Sequence, residues 1–99
     1  MKKANPFEEG PVTWFVYMLQ CRDGSIYTGI TNELKRRVAE HQNGVGCKYT
    51  RGRCPVQLIA SRAVSSRSEA LSLEWQVKKM DRPGKEKLAG EWNLENGDA

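Results

Sequence analysis

The stretch Trp14–Thr31, W-F-V-Y-M-L-Q-C-R-D-G-S-I-Y-T-G-I-T, reads as two strands and a tight turn, because β-branched and aromatic runs flank Arg22-Asp23-Gly24-Ser25. In the first run Phe15, Tyr17, Leu19 and Cys21 point one way, and Trp14, Val16, Met18 and Gln20 the other. Both faces are largely apolar, as in a strand covered on both sides and central in its sheet. Turn length then decides which residues share a face. A two-residue loop at Asp23-Gly24 puts Tyr17 and Tyr27 on opposite faces. A three-residue loop, with Gly24 left-handed in a bulge, pairs Cys21 with Ser25, Leu19 with Tyr27 and Tyr17 with Gly29. We adopt the second, which sets Tyr17 opposite a glycine, where a ligand or backbone can approach closely.

A chain of 99 residues has room for one domain and a modest core. Its net charge of +4 and pI near 9.1 point to an anionic partner, nucleic acid first, against the plainer alternative of a basic soluble protein. Cys21, Cys47 and Cys54 cannot all pair within the chain, which fits a reducing, cytoplasmic compartment. With His41 they match no common zinc spacing. No apolar run reaches membrane-spanning length and none follows the charged start, so neither a transmembrane helix nor a signal peptide is expected.

Residues 1–12 read as a flexible arm, 13–90 as the domain and 91–99 as a flexible tail on which Trp92 docks at the surface. The first helix spans about Asn32 to Asn43, opened by Thr31 or Asn32 and stopped by a left-handed Gly44. Its sparse stripe of Leu34 and Val38 extends to Arg37 and His41. Arg36 faces Glu40 one turn on, and the ordinary partner of Arg37 is Glu33. Gly44–Pro55 is a basic loop, with Lys48, Arg51 and Arg53 for phosphates around Tyr49 for stacking. Val56–Val64 is the third strand, with Val56, Leu58 and Ala60 on one face. Ser66-Arg67-Ser68-Glu69 has capping-box spacing and opens a helix to about Met80. Its stripe of Ala70, Leu73, Val77 and Met80 also carries Glu74, whose carboxylate needs a cation, a metal or water; Lys78 is the ordinary partner. A short helix from Lys85 to about Gly90 follows the break at Asp81-Arg82-Pro83-Gly84.

The residues out of place are Tyr17 and Tyr27 on one sheet face, Arg37 and His41 on one helix stripe, and Glu74 on another. There is no second histidine, G-x-S-x-G, C-x-x-C or phosphate-binding glycine loop, and no carboxylate pair in the stripes. That excludes the common glycosidase and two-metal arrangements. The set suits phosphodiester cleavage with one divalent cation. Glu74 would hold one Mg²⁺ or Mn²⁺, Arg37 would grip the phosphate, a tyrosine would activate water, and His41 would relay the proton.

Val16-Tyr17 followed ten residues later by Tyr27-Thr28-Gly29 resembles the paired G-I-Y and Y-I-G motifs of the GIY-YIG nucleases. Arg37, eight positions after Gly29, stands where that family has its catalytic arginine, and His41 where members carry His or Tyr. Ser68–Trp75 is similar to the segment bearing the family's metal-binding glutamate, which places Glu74 there. The resemblance runs from about Trp14 to Leu88 and is nearest the small stand-alone bacterial members of the YhbQ type. It implies an α/β (α+β) sandwich, β-β-α-β-α(-α), with a three-stranded antiparallel sheet. The strand order 2-1-3 also follows independently from a central first strand. Phe15-Val16-Tyr17 lacks the motif glycine, Thr28 replaces the middle residue of Y-I-G, and Ile30 stands where some excision nucleases have lysine; which tyrosine is the base stays open.

The resemblance implies a metal-dependent DNA nuclease acting on structured or damaged DNA, with substrate contacts from Lys48, Tyr49, Arg51, Arg53, Trp75 and Lys78. The alternatives are a non-catalytic module for DNA or RNA, and a catalytic subunit that needs a protein partner for targeting.

Overall fold

The computed structural model describes residues 12–95, with side chains through Asn93. Residues 1–11 of the expected arm and 96–99 of the expected tail lie outside them. The elements follow in the order β1 (Trp14–Gln20), β2 (Ile26–Thr31), α1 (Leu34–Gln42), α2 (Lys48–Arg51), β3 (Gln57–Val64), α3 (Arg67–Lys78) and α4 (Arg82–Glu95). The three strands form one antiparallel sheet in the order β2-β1-β3, so β1 is central as its two apolar faces require.

The hairpin closes in the three-residue register. Tyr17 pairs with Gly29 and Leu19 with Tyr27, while Cys21 N–H donates to Ser25 O (2.8 Å) and Gly24 N–H to Cys21 O (2.9 Å). Gly24 has φ 86°, the left-handed conformation that a side chain disfavours. Asp23 locks the turn by accepting from Ser25 N–H (3.0 Å) and Ser25 Oγ–H (2.6 Å). The Ser25 bonds, side chain first, and then Arg53 hold the Asp23 carboxyl at about 2.

Each sheet face has its own core. Val16 and Met18 pack with Ala60, Ala70, Val77, Ala89 and Trp92 under α3 and α4. Tyr17, Leu19, Cys21 and Val56 pack with Tyr27, Leu34, Val38 and Cys54 on the side of α1. Val56, Leu58 and Ala60 do not share a face as the alternation predicts. A bulge between Met18 and Leu19 pairs them with Ala60 and Leu58, leaves Ile59 as the extra residue and inverts the phase of β3.

Ser66 caps α3 by accepting from Glu69 N–H (3.0 Å), while the Glu69 carboxylate accepts from Ser65 N–H (2.8 Å) and Oγ–H (2.7 Å). At α1 the cap is weaker than expected: Glu33 stands at N-cap without a side-chain bond, and Thr31 Oγ1 accepts from Glu33 N–H instead (3.0 Å). Gly44 ends the helix with φ 80°.

Two further expectations are corrected. The basic segment 44–55 holds the single turn α2, whose Thr50 is fully buried. The terminal helix starts at Arg82, with Pro83 in its first turn, and runs to Glu95 rather than ending near Gly90. Trp92 is 2% exposed within the core and not docked on the surface, so residues 91–95 continue the helix where a tail was expected.

Candidate active site

Tyr17 projects from β1 toward α1. Its ring lies over Gly29, where an added Cβ would stand 2.5 Å from the phenol oxygen, so the space opposite the glycine is filled by Tyr17 itself rather than by a ligand. The Tyr17 hydroxyl is 2.9 Å from His41 Nε2, and His41 Nδ1 is 2.8 Å from Thr50 Oγ1. Tyr17 is 1% exposed, and His41 and Thr50 are fully buried. His41 belongs to the last turn of α1, and Gly46 leaves room for its ring: a Cβ there would come within 2.9 Å of His41 Cα and closer still to the imidazole.

The directions of these hydrogen bonds follow from the donor inventory. Arg37 only donates, and its charge lowers the Tyr17 pKa, which favours the phenol oxygen as an acceptor on that side. This favours the order in which the Tyr17 hydroxyl donates to His41 Nε2 and His41 Nδ1–H donates to Thr50 Oγ1. The Thr50 hydroxyl passes its own proton toward Cys47 O (3.5 Å). The result is an ordered relay from Arg37 through Tyr17 and His41 to Thr50.

Burial raises the Tyr17 pKa, with Arg37 opposing, so the phenol is protonated at neutral pH. His41 is lowered, by burial first and then by Arg37, and is neutral. Tyr27 is raised far above the ordinary tyrosine value, by burial and by donating to Cys47. Its ring contacts those of Tyr17 (6.3 Å between centroids), His41 (5.1 Å) and Tyr49 (5.6 Å). The same bond helps to lower Cys47: burial raises this thiol, but hydrogen bonds with Thr50, Tyr27 and Tyr49 outweigh it.

Arg37 binds Glu40 Oε1 (2.9 Å), not the expected Glu33, which pairs instead with Arg36 (2.7 Å). The expected Arg36–Glu40 pair is present at 2.7 Å. Glu74, with 19% of its side chain exposed, binds Lys78 Nζ at 3.1 Å as the ordinary reading predicts. It rides α3, on the far side of the sheet from α1, yet its charge reaches Tyr17 and raises that pKa more weakly than Arg37 lowers it. The structure thus brings Tyr17, Tyr27, Arg37 and His41 into one cluster, with Glu74 acting on it at longer range.

Among the described residues no three His, Cys, Asp or Glu side chains are grouped to hold a metal. His41 spends both ring nitrogens on hydrogen bonds, and Cys54 donates to His41 O (3.2 Å) and Thr50 O (3.4 Å), so neither is free for zinc. A lone carboxylate such as Glu74 fits Mg²⁺ or Mn²⁺, which keep most of their waters and share substrate oxygens.

The basic segment adjoins this cluster. Arg53 covers the Tyr49 ring at 4.0 Å and is held by Asp23 (3.0 Å) and Tyr49 O (2.6 Å). Lys48 and Arg51 are exposed. Trp75 is 63% exposed beneath the Lys79 ammonium at 3.8 Å. Thr50, Glu40 and Gly46 are the participants that sequence reasoning missed. Only Gly46, in Gly44-Val45-Gly46, carried a signal, that of a close approach.

Residues 13–88 match the family model described as the GIY-YIG catalytic domain, so the chain belongs to the GIY-YIG superfamily of nucleases. The chain is 49% identical over 74 residues to UPF0213 protein BH0048 of Halalkalibacterium halodurans, covering 75% of this chain and 79% of that one. It is also 49% identical over 77 residues to UPF0213 protein HQ_3675A of Haloquadratum walsbyi, covering 78% and 86%. The solution structure of EF2693 from E. faecalis matches with TM-score 0.59 at 39% identity, over 88% of this chain and 93% of that one. The solution structure of BH0048 matches with TM-score 0.52 at 46% identity, over 79% and 83%. No helix among the described residues is long and apolar enough to cross a membrane.

Proposed function

We propose that this chain is a divalent-metal-dependent DNA nuclease whose proton-handling group is Tyr17, with RNA as the alternative substrate. The observation that carries the reading is the buried Tyr17–His41–Thr50 hydrogen-bonded chain with the Arg37 charge acting on the phenol, an arrangement that can pass a proton. Tyrosine, with an ordinary pKa of about 10, is a poor base by itself. Here Tyr17 takes a proton from water as its own passes to His41 Nε2, so no free phenolate has to form. Arg37 stabilises the oxygen at that moment and offsets charge growing on the phosphate. Tyr27, raised further, is the aromatic neighbour of Tyr17 rather than the base.

Glu74 would hold one Mg²⁺ or Mn²⁺, exchanging Lys78 for the ion. Such an ion supplies Lewis-acid stabilisation of the phosphoryl and leaving oxygens. Lys48, Arg51, Arg53, Trp75 and Lys78 contribute contacts to the strand, and a protein partner would direct the choice of substrate rather than the chemistry. The reading extends to structured or damaged DNA in the cytoplasm.

The Glu74–Lys78 pair favours a second reading, a nucleic-acid-binding module in which Glu74 is only an ion-pair partner. Cleavage of labelled flap, nicked, single-stranded and duplex DNA in Mg²⁺ or Mn²⁺ against EDTA separates the two. Cleavage lost in Glu74→Ala and Arg37→Ala, with DNA binding kept, supports the nuclease. Binding without cleavage under either metal supports the module.

A further inference from the structure

A cavity of about 270 Å³ opens beside the aromatic cluster, lined by Ser25, Ile26, Tyr49, Arg82 and Lys85. It lies between the hairpin turn, α2 and the start of α4. Its walls divide into a flat apolar side, Tyr49 and Ile26, and a cationic side, Arg82 and Lys85. Arg82 is held through Nε by Glu86 Oε2 (2.8 Å), and its terminal nitrogens face the turn, with Nη1 3.6 Å from where a Gly24 Cβ would stand. Tyr49 is 39% exposed; its ring stacks on that of Tyr27 at 30° between planes, one ring from Tyr17, and carries the Arg53 guanidinium 4.0 Å over it, a third cation beside the cavity.

From this geometry we infer that the cavity is a subsite for one unpaired nucleotide of the cleaved strand, its base against Tyr49 and its phosphate between Arg82 and Lys85. The inference rests on the proposed nuclease reading for the position of the cut. A planar apolar wall facing two cations suits a ligand with a planar apolar part and a negative charge. The volume lies just under the range typical of small-molecule sites, about 300–1,000 Å³, and is too small for a base pair. A base inside it has left its partner, which costs a few kcal/mol from duplex and little from a single strand. The substrate class is therefore a strand that is single-stranded beside the cut, as in an overhang, flap or gap.

The test measures binding in EDTA, so that cleavage plays no part, by fluorescence anisotropy of a labelled single-stranded DNA, the same sequence as RNA, and a blunt duplex. Wild type should prefer a single strand over duplex by at least tenfold; the tighter of the DNA and RNA arms identifies the strand taken. Arg82→Gln/Lys85→Gln should lose that preference and lower the salt slope on single strands by about 0.7, the value for one neutralised phosphate, with duplex binding within twofold. Tyr49→Ala should weaken single-strand binding by about fivefold, the low end for one stacked base, because Tyr27 and Arg53 already lie against the ring. Equal losses on duplex and single strand, or no loss, overturn the subsite. A wild type that binds this way yet cuts nothing overturns the nuclease reading alone, and one that cuts while the double variant binds normally overturns the subsite alone.

Discussion

Thr50→Val tests the relay at its far end from Tyr17, where Thr50 is fully buried. The substitution keeps the shape of the side chain and removes Oγ1, which lies 2.8 Å from His41 Nδ1 in a fully buried position. Two responses are open to the imidazole. If it keeps its tautomer, Nδ1–H is left without an acceptor, at a cost of about 1–3 kcal/mol. At about 4–8 °C per kcal/mol for a domain of this size, Tm falls by roughly 5–20 °C. If it switches tautomer, Nε2–H turns on the Tyr17 oxygen already bonded by Arg37, the phenol proton has no acceptor, and the base is lost. General-base catalysis is worth about 10²–10⁴-fold, so kcat falls by at least about a hundredfold with KM little changed. Single-turnover cleavage in Mg²⁺ or Mn²⁺ reads the second response, a thermal melt the first, and imidazole ¹⁵N shifts show which tautomer is present. Thr50→Ser keeps the hydroxyl and should restore rate and tautomer. A Thr50→Val protein with wild-type rate, Tm and tautomer refutes the relay.

Burial and Arg37 lower His41, so the neutral ring is the folded form, while the unfolded chain takes up a proton near pH 6.5. Its stabilising contribution is therefore present above about pH 6.5 and lost as pH falls toward the lower folded value. The difference in unfolding free energy between wild type and His41→Gln should shrink over that window, as denaturant titrations will show. Gly46→Ala drives a methyl into the His41 ring and should cut activity at least tenfold while Gly52→Ala, where a Cβ meets nothing within 4 Å, leaves the rate unchanged. Among the thiols, half-buried Cys47 is lowered and buried Cys21 raised, so mass mapping after limited iodoacetamide treatment should find Cys47 alkylated well ahead of Cys21. Trp92→Ala should cost about 3–5 kcal/mol, the usual penalty for a buried aromatic, with a fall in Tm that a surface-docked tail residue would not give.

The hairpin was legible because its information is local: Asp23-Gly24 sets the loop, and the loop sets the register that puts Tyr17 opposite Gly29. The centrality of β1 followed from its two apolar faces, and Arg37 and His41 from a helical spacing of four. What was hidden depends on partners distant in sequence. Val56–Ala60 is apolar in both phases apart from Gln57, so alternation could not reveal the bulge at Ile59. Thr50 is an ordinary polar residue in a basic segment until His41 closes over it. Arg37 had acidic neighbours on either side, and the structure pairs it with Glu40 while its charge also acts on Tyr17, which lies on another element. The length of α4 was masked by Gly84 and Gly90, whose poor helix propensity is overridden by burial of Ala89 and Trp92.

Arg37 decides more than its position suggests. A guanidinium cannot accept, so its charge beside Tyr17 favours that phenol as the donor to His41, and His41 as the donor to Thr50. Replacing Arg37 with lysine keeps a donor and a charge but loses the planar guanidinium that holds Glu40. The relay would keep its direction while the oxygen lost its fixed stabiliser. The two consequences separate in experiment: Arg37→Lys should retain the Nδ1–H tautomer of His41 by ¹⁵N shifts yet cleave at least about tenfold more slowly. Arg37→Gln should lose both, because its amide can present either a donor or an acceptor to Tyr17. A lysine variant with the tautomer reversed would mean that Thr50, rather than Arg37, sets the order of the chain.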